Sequence, residues 1–230
     1  MRAGMILEGT LPEAGRVWRE LAEVAVAYVL TEVALWSVGG AQLSWSVATV
    51  LWVILATAVS RRSARQLGLT GASVQQFILI TGTAAAIGGL MILSAWYGGR
   101  AHGLHTAHPL ERALLYSVWA LFQEFLTQSF VFVRLEAVFG GRWAAFCTAV
   151  LFSLAHLPNP VLTPATFVAG LVLALAFRRY RNLYAVGLAH ALLGLAVAVS
   201  LPDNISHHMR VGAAYGNYLL GVHPVFLVDR

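Results

Sequence analysis

The sequence predicts an all-α fold, a polytopic transmembrane helical bundle of seven to eight spans with a cytoplasmic N-terminus. Three observations carry this reading. First, 59% of the 230 residues are hydrophobic and only 11% are charged, against about 25% charged in an ordinary soluble domain, and the mean hydropathy is +0.73. Second, the apolar residues are gathered into segments near the length a helix needs to cross the hydrocarbon core, about 20 residues for about 30 Å. Helices are expected because the backbone finds no water there and must bond to itself. Third, the basic residues, all of them arginine, collect at the ends of these segments.

The first segment, 17–38, keeps Glu23 and Glu32 inside an otherwise apolar run. The stretch before it is short, mixed in polarity and carries Glu8 and Glu13, which is not the plan of a secretory signal, so the first helix is expected to stay as an anchor. The second segment, 43–60, ends at Arg61, Arg62 and Arg65, and the third, 75–97, lies between the two longest polar breaks, 60–73 and 98–111. The fourth, 110–133, stops before Arg134. The fifth, 143–157, closes at Pro158 and Pro160, which cannot continue a helix. The sixth, 164–177, runs into Arg178, Arg179 and Arg181, and the seventh spans 183–201; an eighth, 211–228, is marginal. Several are short for a full crossing, which implies tilt, local thinning or partial burial.

The arginines set the orientation. Those at positions 2, 16, 19, 61, 62, 65, 134, 142, 178, 179, 181 and 230 fall on one side, with Arg134 and Arg142 flanking the turn after the fourth helix, and only Arg100, Arg112 and Arg210 on the other. The positive-inside rule therefore puts the N-terminus in the cytoplasm. The net charge of +5 follows from this topology. Its carriers are dispersed at helix ends without the basic face that nucleic-acid binding needs, so no nucleic-acid partner is expected. No linker or repeat interrupts the segments, and residues 1–230 read as a single integral membrane domain. The single cysteine, Cys147, cannot form an intrachain disulfide. An all-arginine basic content points to a GC-rich genome and hence to a bacterial inner membrane.

Ionisable groups inside spanning helices are costly and normally face protein or a water-filled cavity. Glu124 lies near the middle of the fourth segment, with Gln128 one turn along the same face. His156 ends the fifth segment just before the prolines, and His190 lies nine residues in from Arg181. Each has a structural explanation by itself: a buried histidine can bond to a backbone carbonyl, and a glutamate can be satisfied by neighbouring glutamines. Together they are what water activation in a membrane cavity requires, since a carboxylate can take a proton and imidazoles can orient water, stabilise an oxyanion or hold a metal. Glu23 and Glu32 are read as structural. His102, His105 and His108 read as a solvated outer loop and the 203–210 stretch, with His207 and His208, as an exposed loop near the cavity mouth.

The order of these elements resembles the CAAX-protease and bacteriocin-processing family of intramembrane endopeptidases, whose motifs are Glu-Glu-x-x-x-Arg, Phe-x-x-x-His and His-x-x-x-Asn. The matching stretches are Gln123 to Gln128, Phe152 to His156, and His190 to Gly194, within a core of 110–200, and Arg65-Gln66-Leu67-Gly68-Leu69 looks like the family's short polar stretch upstream of that core. The chain departs from the pattern at Gln123, Gln128 and Gly194, where the family has its first glutamate, its arginine and its asparagine.

The resemblance implies an intramembrane endopeptidase acting on a membrane-anchored or lipid-modified peptide in the lipid bilayer. Glu124 would be the base, His156 would orient the water and His190 would stabilise the oxyanion, supported by Gln123, Gln128, Phe152 and Asn159. No cofactor is expected, zinc on Glu124, His156 and His190 being the weaker alternative. The competing class is a non-catalytic membrane binding or immunity protein that keeps the scaffold. Asn159 or Asn182 could replace the donor missing at Gly194 if the backbone brings either inward.

Overall fold

In the computed structural model, which describes residues 13–71, 73–101 and 108–221, the apolar segments become helices. They are α1 (Glu13–Trp36), α2 (Gly39–Val59), α3 (Val74–Tyr97), α4 (Pro109–Glu124), a π-helical stretch (Phe125–Phe132), α5 (Val133–Phe139), α6 (Gly141–Leu154), α7 (Leu162–Tyr180) and α8 (Leu183–Ser200). The short α9 (Asp203–Ser206), a 3₁₀ turn (His207–Met209) and α10 (Gly212–Leu219) follow. No strand occurs among the described residues. Four helices, α2, α3, α7 and α8, are long and apolar enough to cross a membrane, and α6 is a shorter apolar helix. Of the eighth expected segment only the part up to residue 221 is described, and it holds α10.

The fourth segment differs from its expected form. It does not stop at Val133; the helix continues through the π-helical stretch and α5 to Phe139. Arg134, expected to flank the turn beyond at the cytoplasmic end, is fully buried. Its Nε donates to Glu23 Oε2 at 2.7 Å and its Nη1 to the Phe130 carbonyl at 3.2 Å. Arg62 donates to Glu20 at 2.6 Å beside it. Two carboxylates of α1 thus neutralise two guanidinium groups, which makes a charge tolerable where hydropathy reads a helix end. Glu23 is structural, as expected.

The α4–α5 helix is the spine. α8 packs along α4 and α3 along α8, while α6 pairs with α7 and, with α1, covers α5; α2 lies on α1. The spine and α8 come close because α8 is built of small residues: a Cβ on Gly187 would stand 3.3 Å from Leu121 Cα, and one on Gly88 of α3 3.1 Å from Ala196 Cβ. Close backbone approach of this kind supplies van der Waals attraction where apolar lipid offers no hydrophobic drive.

The 65–69 stretch fixes the start of α8. Gly68 O accepts from Leu183 N at 3.0 Å, Leu67 O accepts from Ser129 Oγ at 2.7 Å, and Asn182 Oδ1 caps the helix by accepting from Ala185 N at 3.0 Å. Gly68 has φ +72°, and a Cβ there would meet the Phe177 ring at 2.5 Å, so the position requires glycine. The Asn182 oxygen is thus engaged as a helix cap; its amide nitrogen has no hydrogen-bond partner among the described residues, and the residue is not part of the cavity wall.

Candidate active site

Glu124 is the last residue of α4, where the π-helical register begins; the Val133 N–H reaches back to Gln128 O. π-Helical turns inside α-helices occur often at functional sites. The Glu124 side chain is fully buried. Its Oε1 lies 2.8 Å from His190 Nδ1, and its Oε2 accepts from Gln128 Nε2 at 3.0 Å. The structural explanation weighed from the sequence for this glutamate therefore applies in part: Gln128 satisfies one oxygen, and His190 rather than a second glutamine meets the other.

His156 follows α6 in a tight turn. Its Nδ1 is 2.7 Å from the Phe152 carbonyl, which can only accept, so Nδ1 carries the proton and Nε2 the lone pair. The carboxylate of Glu124 likewise only accepts when ionised, which gives His190 the same tautomer. Phe152 stands edge-on to both rings, with centroids 4.7 Å from His156 and 5.6 Å from His190. The second motif thus supplies, in one residue, the carbonyl that sets one imidazole and the ring that spaces the pair.

A cavity of about 420 Å³ opens on this pair. Its wall carries Gln123, Phe152, His156 and His190, with Thr148, Leu173, Met209 and Val211 among the further contributors. Glu124 and Gln128 are fully buried and outside that wall. The three motifs thus meet in space, and Glu124 reaches the cavity through His190.

Asn159 is brought near but serves the loop. Its Nδ2 donates to Ser206 O and Arg210 O, each at 3.0 Å, and its Oδ1 accepts from Val161 N at 3.1 Å and Leu162 N at 2.9 Å. Gly212 N donates to Leu157 O at 2.7 Å. These bonds fasten the 203–212 stretch against the turn that holds His156 and place Met209 and Val211 in the cavity wall. His207 and His208 pack instead on Tyr215 and Tyr218. His108 is exposed, 3.9 Å from Glu111; His102 and His105 lie outside the described residues.

The sequence reading does not single out Tyr116, which also lines the cavity. A Cβ on Gly194 would overlap the Tyr116 phenol, hydroxyl foremost, with Cζ 2.7 Å away. The signal in the sequence was a glycine where the resembling family has a side chain, which asks what fills the space.

For a metal, the site offers two imidazole Nε2 atoms. Glu124 is taken up by His190 and Gln128, and no three His, Cys, Asp or Glu side chains converge among the described residues.

A family model described as Type II CAAX prenyl endopeptidase Rce1-like matches residues 105–196. No curated protein and no solved structure matches the chain.

Proposed function

We propose, from the match of residues 105–196 to the model of Rce1-like type II CAAX prenyl endopeptidases, that this integral membrane protein is an intramembrane endopeptidase. Its substrate is a membrane-anchored or lipid-modified peptide, and water is activated between His156 and His190. The observation that carries the reading is the 2.8 Å contact of Glu124 with His190 Nδ1, which leaves Nε2 of that ring as a base in the cavity. The same tautomer at His156 gives a second acceptor to orient the water.

In the proposed reaction the water oxygen bonds to the scissile carbonyl carbon while its proton passes to His190 Nε2. The imidazolium so formed is stabilised by the Glu124 carboxylate at Nδ1. The same proton is then delivered to the leaving amine as the C–N bond breaks. A positioned general base of this kind contributes roughly 10²–10⁴-fold. Glu124, expected from the sequence to meet the water itself, takes the part of the residue that positions and charges the base.

The membrane arrangement belongs to the same proposal. α1 and the α4–α5 helix are counted as spans because Glu20, Glu23, Arg62 and Arg134 pair within the protein. This keeps the total at seven to eight, the arginine-rich end cytoplasmic and the cavity toward the opposite face, in a bacterial inner membrane.

The test is a terminal-peptide comparison of membrane and secreted fractions from deletion cells complemented with wild type or with Glu124→Ala at matched abundance. Uncut species in both the deletion and the variant support the reading; a variant that processes like wild type overturns it.

A second reading, a binding protein on the same scaffold, has one observation in its favour: a carboxamide, Gln123, stands on the cavity wall where the resembling family has a glutamate. Under that reading wild type cuts nothing, and Gln123→Glu is the variant that creates cutting.

A further inference from the structure

We propose that the Tyr116 hydroxyl is the oxyanion donor of this site, occupying the space that a side chain at position 194 would fill. The inference rests on the endopeptidase reading and specifies what stabilises its transition state.

Gly194 lies one turn beyond His190 on α8, so the two share a face, and both line the cavity. Tyr116 lies two turns before Gln123 on α4, again on one face, and both of these also line it. The two helices pack side by side, and the one group that fills the vacancy above Gly194 is the Tyr116 phenol, whose Cζ and Cε1 would stand 2.7 and 2.9 Å from a Cβ at that position. A glycine is therefore required for the hydroxyl to sit there.

The hydroxyl makes no hydrogen bond to another described residue. The same cavity is lined by the two imidazoles, whose Nε2 atoms, with the protons on Nδ1, are acceptors in the resting state. Gln123 and Thr148 also bring donors to this wall, but Tyr116 is the group held against Gly194, one turn from His190, whereas the Asn159 amide is committed to the Ser206 and Arg210 carbonyls.

When the water oxygen bonds to the carbonyl carbon, the π electrons of the C=O bond move onto its oxygen. The Tyr116 O–H donates a hydrogen bond to that oxygen and keeps its proton, while the proton of the water goes to His190 Nε2. As the C–N bond breaks the carbonyl re-forms and releases the hydroxyl. Tyrosine suits this because a neutral phenol donates without adding a charge in a low-dielectric setting.

The experiment follows the rate at which cells process the peptides that accumulate uncut in the deletion strain, with each full-length variant at matched membrane abundance. Tyr116→Phe removes only the hydroxyl and keeps the ring over Gly194. It should slow processing about 10²–10³-fold, the usual cost of one oxyanion donor. Gly194→Asn should also fail, because the new side chain meets the phenol. The double variant Tyr116→Ala with Gly194→Asn should recover part of the rate, a carboxamide N–H now reaching the vacated space.

A ring that merely fills space predicts wild-type processing in Tyr116→Phe, and that result overturns the proposal while leaving the endopeptidase reading intact. Failure of the double variant to exceed Tyr116→Ala also counts against it. The absence of any uncut peptide in deletion and Glu124→Ala cells overturns the endopeptidase reading, and this inference with it.

Discussion

Glu124 Oε1 and His190 Nδ1 meet at 2.8 Å across the α4–α8 contact, and Gln128 Nε2 holds the other carboxylate oxygen at 3.0 Å. The carboxylate is acceptor on both sides, which fixes the proton of His190 on Nδ1 and leaves Nε2 bare. Glu124→Gln keeps the volume but places an N–H₂ group in competition with that arrangement: a carboxamide nitrogen turned to His190 reverses the tautomer, and one turned to Gln128 opposes its donor. Processing should fall about 10²–10⁴-fold with membrane abundance unchanged. Wild-type rates in this variant would remove Glu124 from the mechanism.

Arg134 and Glu23 lead to a prediction about stability. The guanidinium is fully buried, with the carboxylate at 2.7 Å and the Phe130 ring 3.6 Å beneath it. Arg134→Met leaves Glu23 without its closest partner, and breaking a buried pair typically costs about 3–5 kcal/mol. The lower end is expected, because Arg19 stands 3.8 Å from the same carboxylate. The double variant Glu23→Leu with Arg134→Met should regain most of the loss. Thermal unfolding can be followed by a thiol-reactive dye through Cys147, the single cysteine, which is partly buried. A double variant no better than Arg134→Met would show that the pair is not what makes the charge tolerable.

The helical class and the run of apolar segments were legible because bilayer length and composition act locally on the chain, as α2, α3, α7 and α8 show. The continuation through Arg134 to Phe139 was not, since it depends on carboxylates more than a hundred residues earlier. The residues of the site divide in the same way. Glu124, Gln128, His156 and His190 stand out as polar groups in apolar runs, and the structure brings them together. That Glu124 is fully buried outside the cavity wall, that Asn159 holds a loop, and that Tyr116 fills the space over Gly194 are facts of packing between helices. Tyrosine in an apolar helix is too ordinary to attract notice until the glycine it covers is seen beside it.

Gly68 ties the 65–69 stretch to the helix that carries His190. Gly68→Ala forces a left-handed conformation at about 1–2 kcal/mol and pushes a methyl group into the fully buried Phe177 ring. The melting temperature should drop, and the Gly68 O to Leu183 N bond at the head of α8 should weaken. An unchanged melting temperature would show that this stretch is free to move, and that α8 is held by α3 and α4 alone.

Asn159 separates two functions of one side chain, because its oxygen and its nitrogen serve different elements. The oxygen accepts from Val161 N and Leu162 N at the start of α7; the nitrogen donates to Ser206 O and Arg210 O in the cavity rim. Asn159→Ala loses both sets, at roughly 0.5–1.5 kcal/mol per bond. It should lower the melting temperature and expose the 203–211 stretch to protease. Asn159→Asp keeps the acceptor for α7 but sets a carboxylate against two carbonyl oxygens. The aspartate should therefore melt closer to wild type than the alanine does, yet be cleaved in the rim at least as fast, with processing reduced in both because Met209 and Val211 leave the cavity wall. If the aspartate instead protects the rim, the two carbonyls are not held by the Asn159 nitrogen, and the rim must be fastened chiefly by the Gly212 N to Leu157 O bond.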